Sequence, residues 1–202
     1  MEVWQVRRQG ENIMNENIYN VIYADPPWSY RVGKSKKCPL WGLASNHYRT
    51  MTNQEIYCYL GEQRIEIADN AALFLWCTNP HLETGLQTIL HWGFSYKTNI
   101  AWIKTDNCPG VGFYVRGCHE LLLFGTRGKM RPEESISPPI TSVIHSPRTG
   151  HSRKPLAAYE LIERMYPAAN MLELFAREIR PGWSQIGNEL GQHQIDMIAV
   201  TG

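Results

Sequence analysis

The residues of this sequence best suited to chemistry stand together at Asp25-Pro26-Pro27-Trp28. A carboxylate accepts hydrogen bonds from an amine. Proline has no N–H and a fixed φ, so two in succession present a carbonyl as a second acceptor in a stiff, pre-set direction. The indole beside them offers a flat surface for stacking. Two acceptors and a platform suit a flat aromatic amine. Asp-Pro is also a common turn opener, so the tetrapeptide takes its meaning from its surroundings. Metal chemistry has no matching signal: the five Cys form no CxxC pair. Their odd number fits reduced thiols in a cytoplasmic compartment rather than a structural zinc site.

The elements around this motif predict an α/β fold. Val21-Ile22-Tyr23-Ala24 is a β-branched, apolar run ending at Asp25, which reads as a buried parallel strand with a carboxylate at its C-terminal end. The two prolines then force the chain out of the sheet. Residues 29–49 have no regular period and read as a long loop. Thr52, with Glu55 three residues on, has capping-box spacing and predicts a helix to about Ala68. Ala71–Cys77 reads as a second strand, Asn79-Pro80 opens a helix that stops before Gly93, and Thr98–Lys104 and Glu120–Gly125 read as strands. Residues 126–150, with four prolines, read as loop. Pro155 opens a helix, and Met171–Phe175 and Trp183–Ile186 complete the strands. Alternating strands and helices predict a mostly parallel sheet flanked by helices. Ligands of such sheets bind beyond the carboxyl ends of the strands, where Asp25 falls.

The totals bound this reading. A length of 202 residues suits a single domain over 18–202, with residues 1–17 as a polar arm or extension. No apolar run approaches the ~20 residues needed to span a bilayer, and no leader precedes the domain, so membrane partners are not expected. The formal net charge of +1 does not announce a nucleic-acid binder, so phosphate contacts would have to come from local patches. Two patches stand out: Arg31, Lys34, Lys36 and Lys37 in one loop, and Arg148, Arg153 and Lys154 in another.

From Val21 to Trp28 the sequence resembles the signature of the adenine N(6)-methyltransferase family that includes the catalytic subunit of the eukaryotic mRNA adenine methyltransferase, the MT-A seventy family. The resemblance continues in order along the chain. It includes His47-Tyr48-Arg49-Thr50-Met51, Leu73-Phe74-Leu75-Trp76, Ala101-Trp102-Ile103-Lys104-Thr105 and His119-Glu120-Leu121-Leu122-Leu123-Phe124-Gly125. It then includes His151-Ser152-Arg153-Lys154-Pro155, Glu173-Leu174-Phe175-Ala176-Arg177, Trp183 and Gly187-Asn188, so that residues 18–190 are covered. The segment between Arg177 and Trp183 is shorter than in the eukaryotic enzyme.

The resemblance implies a Rossmann-like class I methyltransferase fold and S-adenosylmethionine as methyl donor. It implies that Asp25 and Pro26, with Pro27 and Trp28, form the catalytic motif that holds the exocyclic amine of adenine. Asp25, Pro26, His119, Lys154, Glu173, Phe175, Arg177, Asn188 and Glu189 are implied to lie against the cofactor, with Lys154 facing its carboxylate and Glu173 its ribose. Tyr48, Arg31, Lys34, Lys36, Lys37, Arg148 and Arg153 are then candidates for substrate contact. Flanking a nucleic-acid site, their charges acquire a partner that composition alone did not supply. The compact form resembles bacterial and phage members acting on DNA, so DNA is favoured over RNA. An RNA adenine methyltransferase and a catalytically silent nucleic-acid-binding scaffold are the alternatives, and a homodimer or partner subunit is compatible with each.

Overall fold

The computed structural model describes residues 5–7, 18–29, 50–106, 114–134, 136–150, 153–187 and 190. Eight strands form one sheet: β1 (Gln5–Arg7), β2 (Ile18–Ala24), β3 (Glu66–Cys77), β4 (Ser95–Lys104), β5 (His119–Arg127), β6 (Val143–Ser146), β7 (Met171–Leu174) and β8 (Ser184–Gly187). Their order across the sheet is β1-β8-β7-β2-β3-β5-β4-β6. Pairings β2–β3, β2–β7, β7–β8 and β4–β6 are parallel, whereas β1–β8, β3–β5 and β4–β5 are antiparallel. Six of the eight strands therefore point the same way, with β1 and β5 reversed. The expected α/β architecture and mostly parallel sheet are present.

The pleat divides β2 between two cores. Ile22 and Ala24 face one side with Leu73 and Leu75 of β3, and Val21 and Tyr23 face the other with Ala72, Phe74 and Trp76. Helices α1 (Asn53–Glu62) and α2 (Leu82–His91) cover the first side through Ile56, Tyr59, Leu60 and Ile89. Helix α3 (Leu156–Met165) covers the second through Ala158, Leu161 and Ile162. Full burial of an aliphatic side chain such as Ile56 contributes about 1.5–3 kcal/mol, so a few residues per helix fix each layer. The Thr52 capping box is formed, with the Glu55 N–H reaching Thr52 Oγ1 at 3.3 Å and the Thr52 N–H reaching Glu55 Oε2 at 2.6 Å.

Three expected boundaries are corrected. The first helix ends at Glu62 rather than near Ala68, because Arg64 turns the chain at φ 51° and leads it through Ile65 into a strand. Strand β3 consequently starts at Glu66 and pairs Ile67 with Tyr19 of β2. The stretch 126–150 is not all loop, since β6 within it pairs with the edge of β4. Within the presumed arm, β1 adds an antiparallel edge strand to β8. No helix among the described residues is long and apolar enough to cross a membrane.

Candidate active site at the end of strand β2

Parallel neighbours on both sides of β2 bring several strand ends to one edge. Ala24 pairs with Leu75 of β3 and with Leu174 of β7, so Asp25 emerges beside the ends of both. β5 runs antiparallel to β3 and enters the sheet at this edge, which places Glu120 there. Lys154, just ahead of α3, completes the group.

These side chains form a chain of alternating charge. Lys154 Nζ lies 3.0 Å from Asp25 Oδ1 and 3.0 Å from Glu120 Oε2. Among the described residues, this ammonium is the polar group that meets Glu120 Oε2. Lys104 Nζ contacts the other Glu120 oxygen at 2.6 Å. The two ammonium groups also sit over indoles, Lys154 5.5 Å from the Trp76 ring and Lys104 5.1 Å from Trp102. Burial raises the Asp25 carboxyl above its ordinary range, and Lys154 and then Arg177 pull it back. Burial also acts to raise Glu120, but Lys154 and Lys104 overcome it and hold this carboxyl at about 2. Burial would lower Lys154, yet Asp25 and Glu120 outweigh it and keep the ammonium charged.

The rest of the tetrapeptide is tightly engaged. Pro26 O accepts the Trp28 N–H at 2.8 Å, so one of its lone pairs is already used. Pro27 O accepts the Met51 N–H at 2.9 Å, tying the start of the loop after β2 to its end. Trp28 is buried, stacks on His81 with ring centroids 5.6 Å apart and donates its indole N–H to Trp76 O at 3.1 Å. His81 lies between Thr78 Oγ1 and Ser29 O, at 2.9 and 3.1 Å, and burial lowers its pKa. The ring expected as a platform thus serves as an anchor for the motif.

On β7, Glu173 is buried. It accepts hydrogen bonds from Tyr159 at 2.7 Å and from Gln185 at 3.3 Å, and burial raises its carboxyl to about 7. Tyr159 also meets Tyr23 at 4.7 Å between ring centroids, and Tyr23 accepts the Trp76 indole N–H at 2.7 Å. A polar seam therefore runs through the second core from β3 to β8. After Glu173 the chain turns at Phe175, whose φ is 61° and whose ring packs 4.4 Å from Tyr59. Gly187 lies against this turn so closely that a Cβ on it would sit 1.8 Å from Ala176 O.

The structure thus gathers Asp25, Pro26, Pro27, Trp28, Lys154, Glu173, Phe175 and Arg177 around the C-terminal edge of β2 and β7. His119 is at the same edge, at the start of β5. Arg148 is paired with Asp106 at 2.6 Å, and Arg153 with Glu178. Tyr48, Arg31, Lys34, Lys36, Lys37, Asn188 and Glu189 lie outside the described residues. Sequence reasoning missed Glu120, Lys104, Tyr159 and Gln185. Glu120 had a readable signal, an acid opening an otherwise apolar strand. Among the described residues no cluster of three or more His, Cys, Asp or Glu could hold a metal. An open cleft lined by Tyr57, Arg64, His91, Trp92 and Arg127 lies by the start of β3, at the opposite edge from Asp25.

This edge offers what S-adenosylmethionine needs. Glu173 has lone pairs left for a ribose diol, Lys154 carries a cation that a carboxylate can share, and the Gly187–Ala176 approach keeps the turn at Phe175 free of side-chain bulk.

A family model described as MT-A70 matches residues 19–189. The chain is 32% identical over 197 residues to the Type II methyltransferase M.MunI of a Mycoplasma species, covering 89% of this chain and 81% of that protein. It is 29% identical over 190 residues to the human N(6)-adenosine-methyltransferase catalytic subunit METTL3, covering 88% of this chain and 29% of that protein. The N(6)-adenosine-methyltransferase MT-A70-like of Arabidopsis thaliana is 28% identical over 180 residues, covering 85% of this chain and 24% of that protein.

Proposed function

The chain belongs to the MT-A70 family, and we propose that it transfers a methyl group from S-adenosylmethionine to the exocyclic amine of adenine in DNA. Adenine methylation from S-adenosylmethionine is the chemistry of the family. The choice of DNA rests on compass: the chain covers 81% of the type II methyltransferase but only 29% of METTL3. The six strands that run one way, with the site at their C-terminal edge, support a Rossmann-like class I fold.

The single observation that carries the mechanism is Asp25 at the end of the central strand, with Lys154 at 3.0 Å. The amine lone pair of adenine is delocalised into the ring, which makes it a poor nucleophile. Asp25 and the remaining lone pair of Pro26 O accept its two N–H groups, localising the lone pair and aiming it. Bound S-adenosylmethionine supplies an electrophilic methyl group on a sulfonium. Methyl transfer would place positive charge on the amine nitrogen, and the fixed Asp25 carboxylate would stabilise it and accept the proton that the methylated amine sheds. Orientation supplies much of the remainder. Lys154 balances Asp25 before the amine arrives, and Glu120 stands ready as its alternative partner. Glu173, Phe175 and Arg177 border the cofactor. Trp28 holds the motif against the sheet through His81 and Trp76.

A tritiated-methyl assay on duplex DNA, single-stranded DNA and RNA, followed by nucleoside analysis, tests this reading. The expected product is N(6)-methyladenine in DNA. Label confined to RNA would remove the polymer assignment, and label on cytosine or on protein would remove adenine.

A further inference from the structure

The Pro26 carbonyl, the proposed second acceptor for the adenine amine, lies beyond Ala24, the last residue of β2 to pair with β3 and β7. Strand pairing therefore does not aim it. One of its lone pairs takes the Trp28 N–H at 2.8 Å, closing a three-residue turn with Pro27 at its centre. The direction left for the amine depends on where Trp28 and Ser29 are held. One fixture is Met51, whose N–H bonds Pro27 O at 2.9 Å. A second is Trp76 O, which takes the Trp28 indole N–H at 3.1 Å. The third is His81, a buried histidine from beyond the end of β3 that the chemistry at Asp25 does not use.

His81 closes the short turn Asn79–His81, and its backbone N–H bonds Thr78 O at 2.8 Å, which fixes where the ring starts. The ring stacks on Trp28, and each of its nitrogens meets an oxygen. Nε2 lies 3.1 Å from Ser29 O, and Nδ1 lies 2.9 Å from Thr78 Oγ1. These oxygens decide the tautomer. A carbonyl only accepts, so Nε2 must carry the hydrogen. Burial lowers the pKa and favours the neutral ring, so Nδ1 is bare and accepts the Thr78 hydroxyl. A buried N–H left without its acceptor is costly, so the ring holds Ser29 O in one place. At 8% exposure His81 cannot itself serve as a contact for nucleic acid.

We propose that His81, as its Nε2–H tautomer, is a positioning residue for methyl transfer: by holding Ser29 O and the Trp28 ring it fixes the turn over Pro27 and so aims the Pro26 carbonyl at the amine. This inference rests on the adenine-amine reading above, and not on which polymer carries the adenine. Asp25 keeps its place through β2, so the loss of His81 leaves one acceptor in position and lets the other swing. A misplacement of about 1 Å costs roughly a hundredfold in rate.

The test compares wild type, His81→Gln and His81→Asn by initial rates with tritiated S-adenosylmethionine, on whichever of DNA and RNA the wild type methylates. Both variants lose the ring and its stack on Trp28. The Gln amide reaches the place of Nε2 and can still donate to Ser29 O, whereas the Asn amide reaches only the place of Nδ1. In His81→Gln kcat should stay within about threefold, in His81→Asn it should fall about tenfold or more, and KM for the polymer should stay within about twofold in both. Equal kcat in the two variants, or a loss carried by KM alone, overturns the proposal. Long-range nitrogen–hydrogen NMR on histidine-labelled wild type, with the His81 ring identified by its contacts with Trp28, reads the tautomer without any variant. A protonated Nε2 beside a bare Nδ1 is expected, and a protonated Nδ1 beside a bare Nε2 overturns the proposal. A wild type that labels RNA in place of DNA overturns the polymer assignment alone, and the comparison of Gln with Asn then decides on RNA. One that labels only protein overturns both readings.

Discussion

The Lys154 ammonium stands 3.0 Å from Asp25 Oδ1 and bridges to Glu120, so the proposed amine acceptor is never an isolated buried charge. Removing Asp25 leaves Lys154 still paired with Glu120, and the cluster keeps a counter-charge. Asp25→Ala should therefore cut methyl transfer by at least about a hundredfold while the protein stays folded, because the lost interaction is made with charge that develops in the transition state. Initial rates of methyl incorporation, with circular dichroism and a melting curve beside them, check this. Activity near the wild-type level would remove Asp25 from the mechanism.

Lys154→Met has the opposite character. It leaves two carboxylates, Asp25 and Glu120, facing each other without the cation they share, although Lys104 still serves Glu120. Breaking a buried pair in this way costs about 3–5 kcal/mol. Lys154 is also the chief group pulling the Asp25 carboxyl down against burial, so its loss lets Asp25 rise further. A protonated Asp25 cannot stabilise positive charge, and the acid limb of the rate profile should move to higher pH. Denaturant unfolding and kcat against pH report the two effects separately. An acid limb that stays in place would show that Lys154 does not set the state of Asp25.

The proposed catalytic edge was legible because apolar β-branched residues ran up to an acid and two prolines, a pattern with few structural readings. The start of β3 was not, because Glu66, Ile67, Ala68 and Asp69 alternate in exposure much as a helix surface would and follow directly from a real capping box. Strand β6 escaped notice because it is an edge strand with one buried residue, Ile144. At β5, the acid opening an apolar strand was readable, but its pairing with Lys104 and Lys154 is a product of the fold. The basic residues Arg148 and Arg153 read as open patches, but their acidic partners Asp106 and Glu178 come from other loops that only the fold brings near. The polar seam Trp76–Tyr23–Tyr159–Glu173 is likewise a product of register, since it joins three strands and a helix.

Gly187 is predicted to tolerate no side chain. A Cβ there would lie 1.8 Å from Ala176 O and 2.8 Å from Ala176 N, the group that donates to Ile186 O at 3.0 Å. Gly187→Ala must push β8 away from the turn at Phe175–Arg177, losing that hydrogen bond and about 1–3 kcal/mol of packing. The same shift moves the residues proposed to border the cofactor. Urea unfolding should show lower stability, and isothermal titration should show weaker S-adenosylmethionine binding. A variant as stable as wild type would mean the strand can yield at no cost.

Glu173 gives the fold a pH dependence of defined sign. Burial raises its carboxyl to about 7, against an ordinary value near 4.5 in the unfolded chain. A group whose pKa is raised by folding adds stability that is fully present below the unfolded value and is lost as pH rises through the folded one. Unfolding free energy should therefore fall between about pH 4.5 and 7, by roughly 3 kcal/mol from this residue. Asp25, also raised, works in the same direction, whereas Glu120, held at about 2, titrates below this window. Glu173→Gln keeps an acceptor for Tyr159 and removes the titration, so its stability should vary less across the same range. Urea unfolding at pH 5 and pH 8 for both proteins measures the difference. An equal pH slope in the two would place the titrating group elsewhere than Glu173.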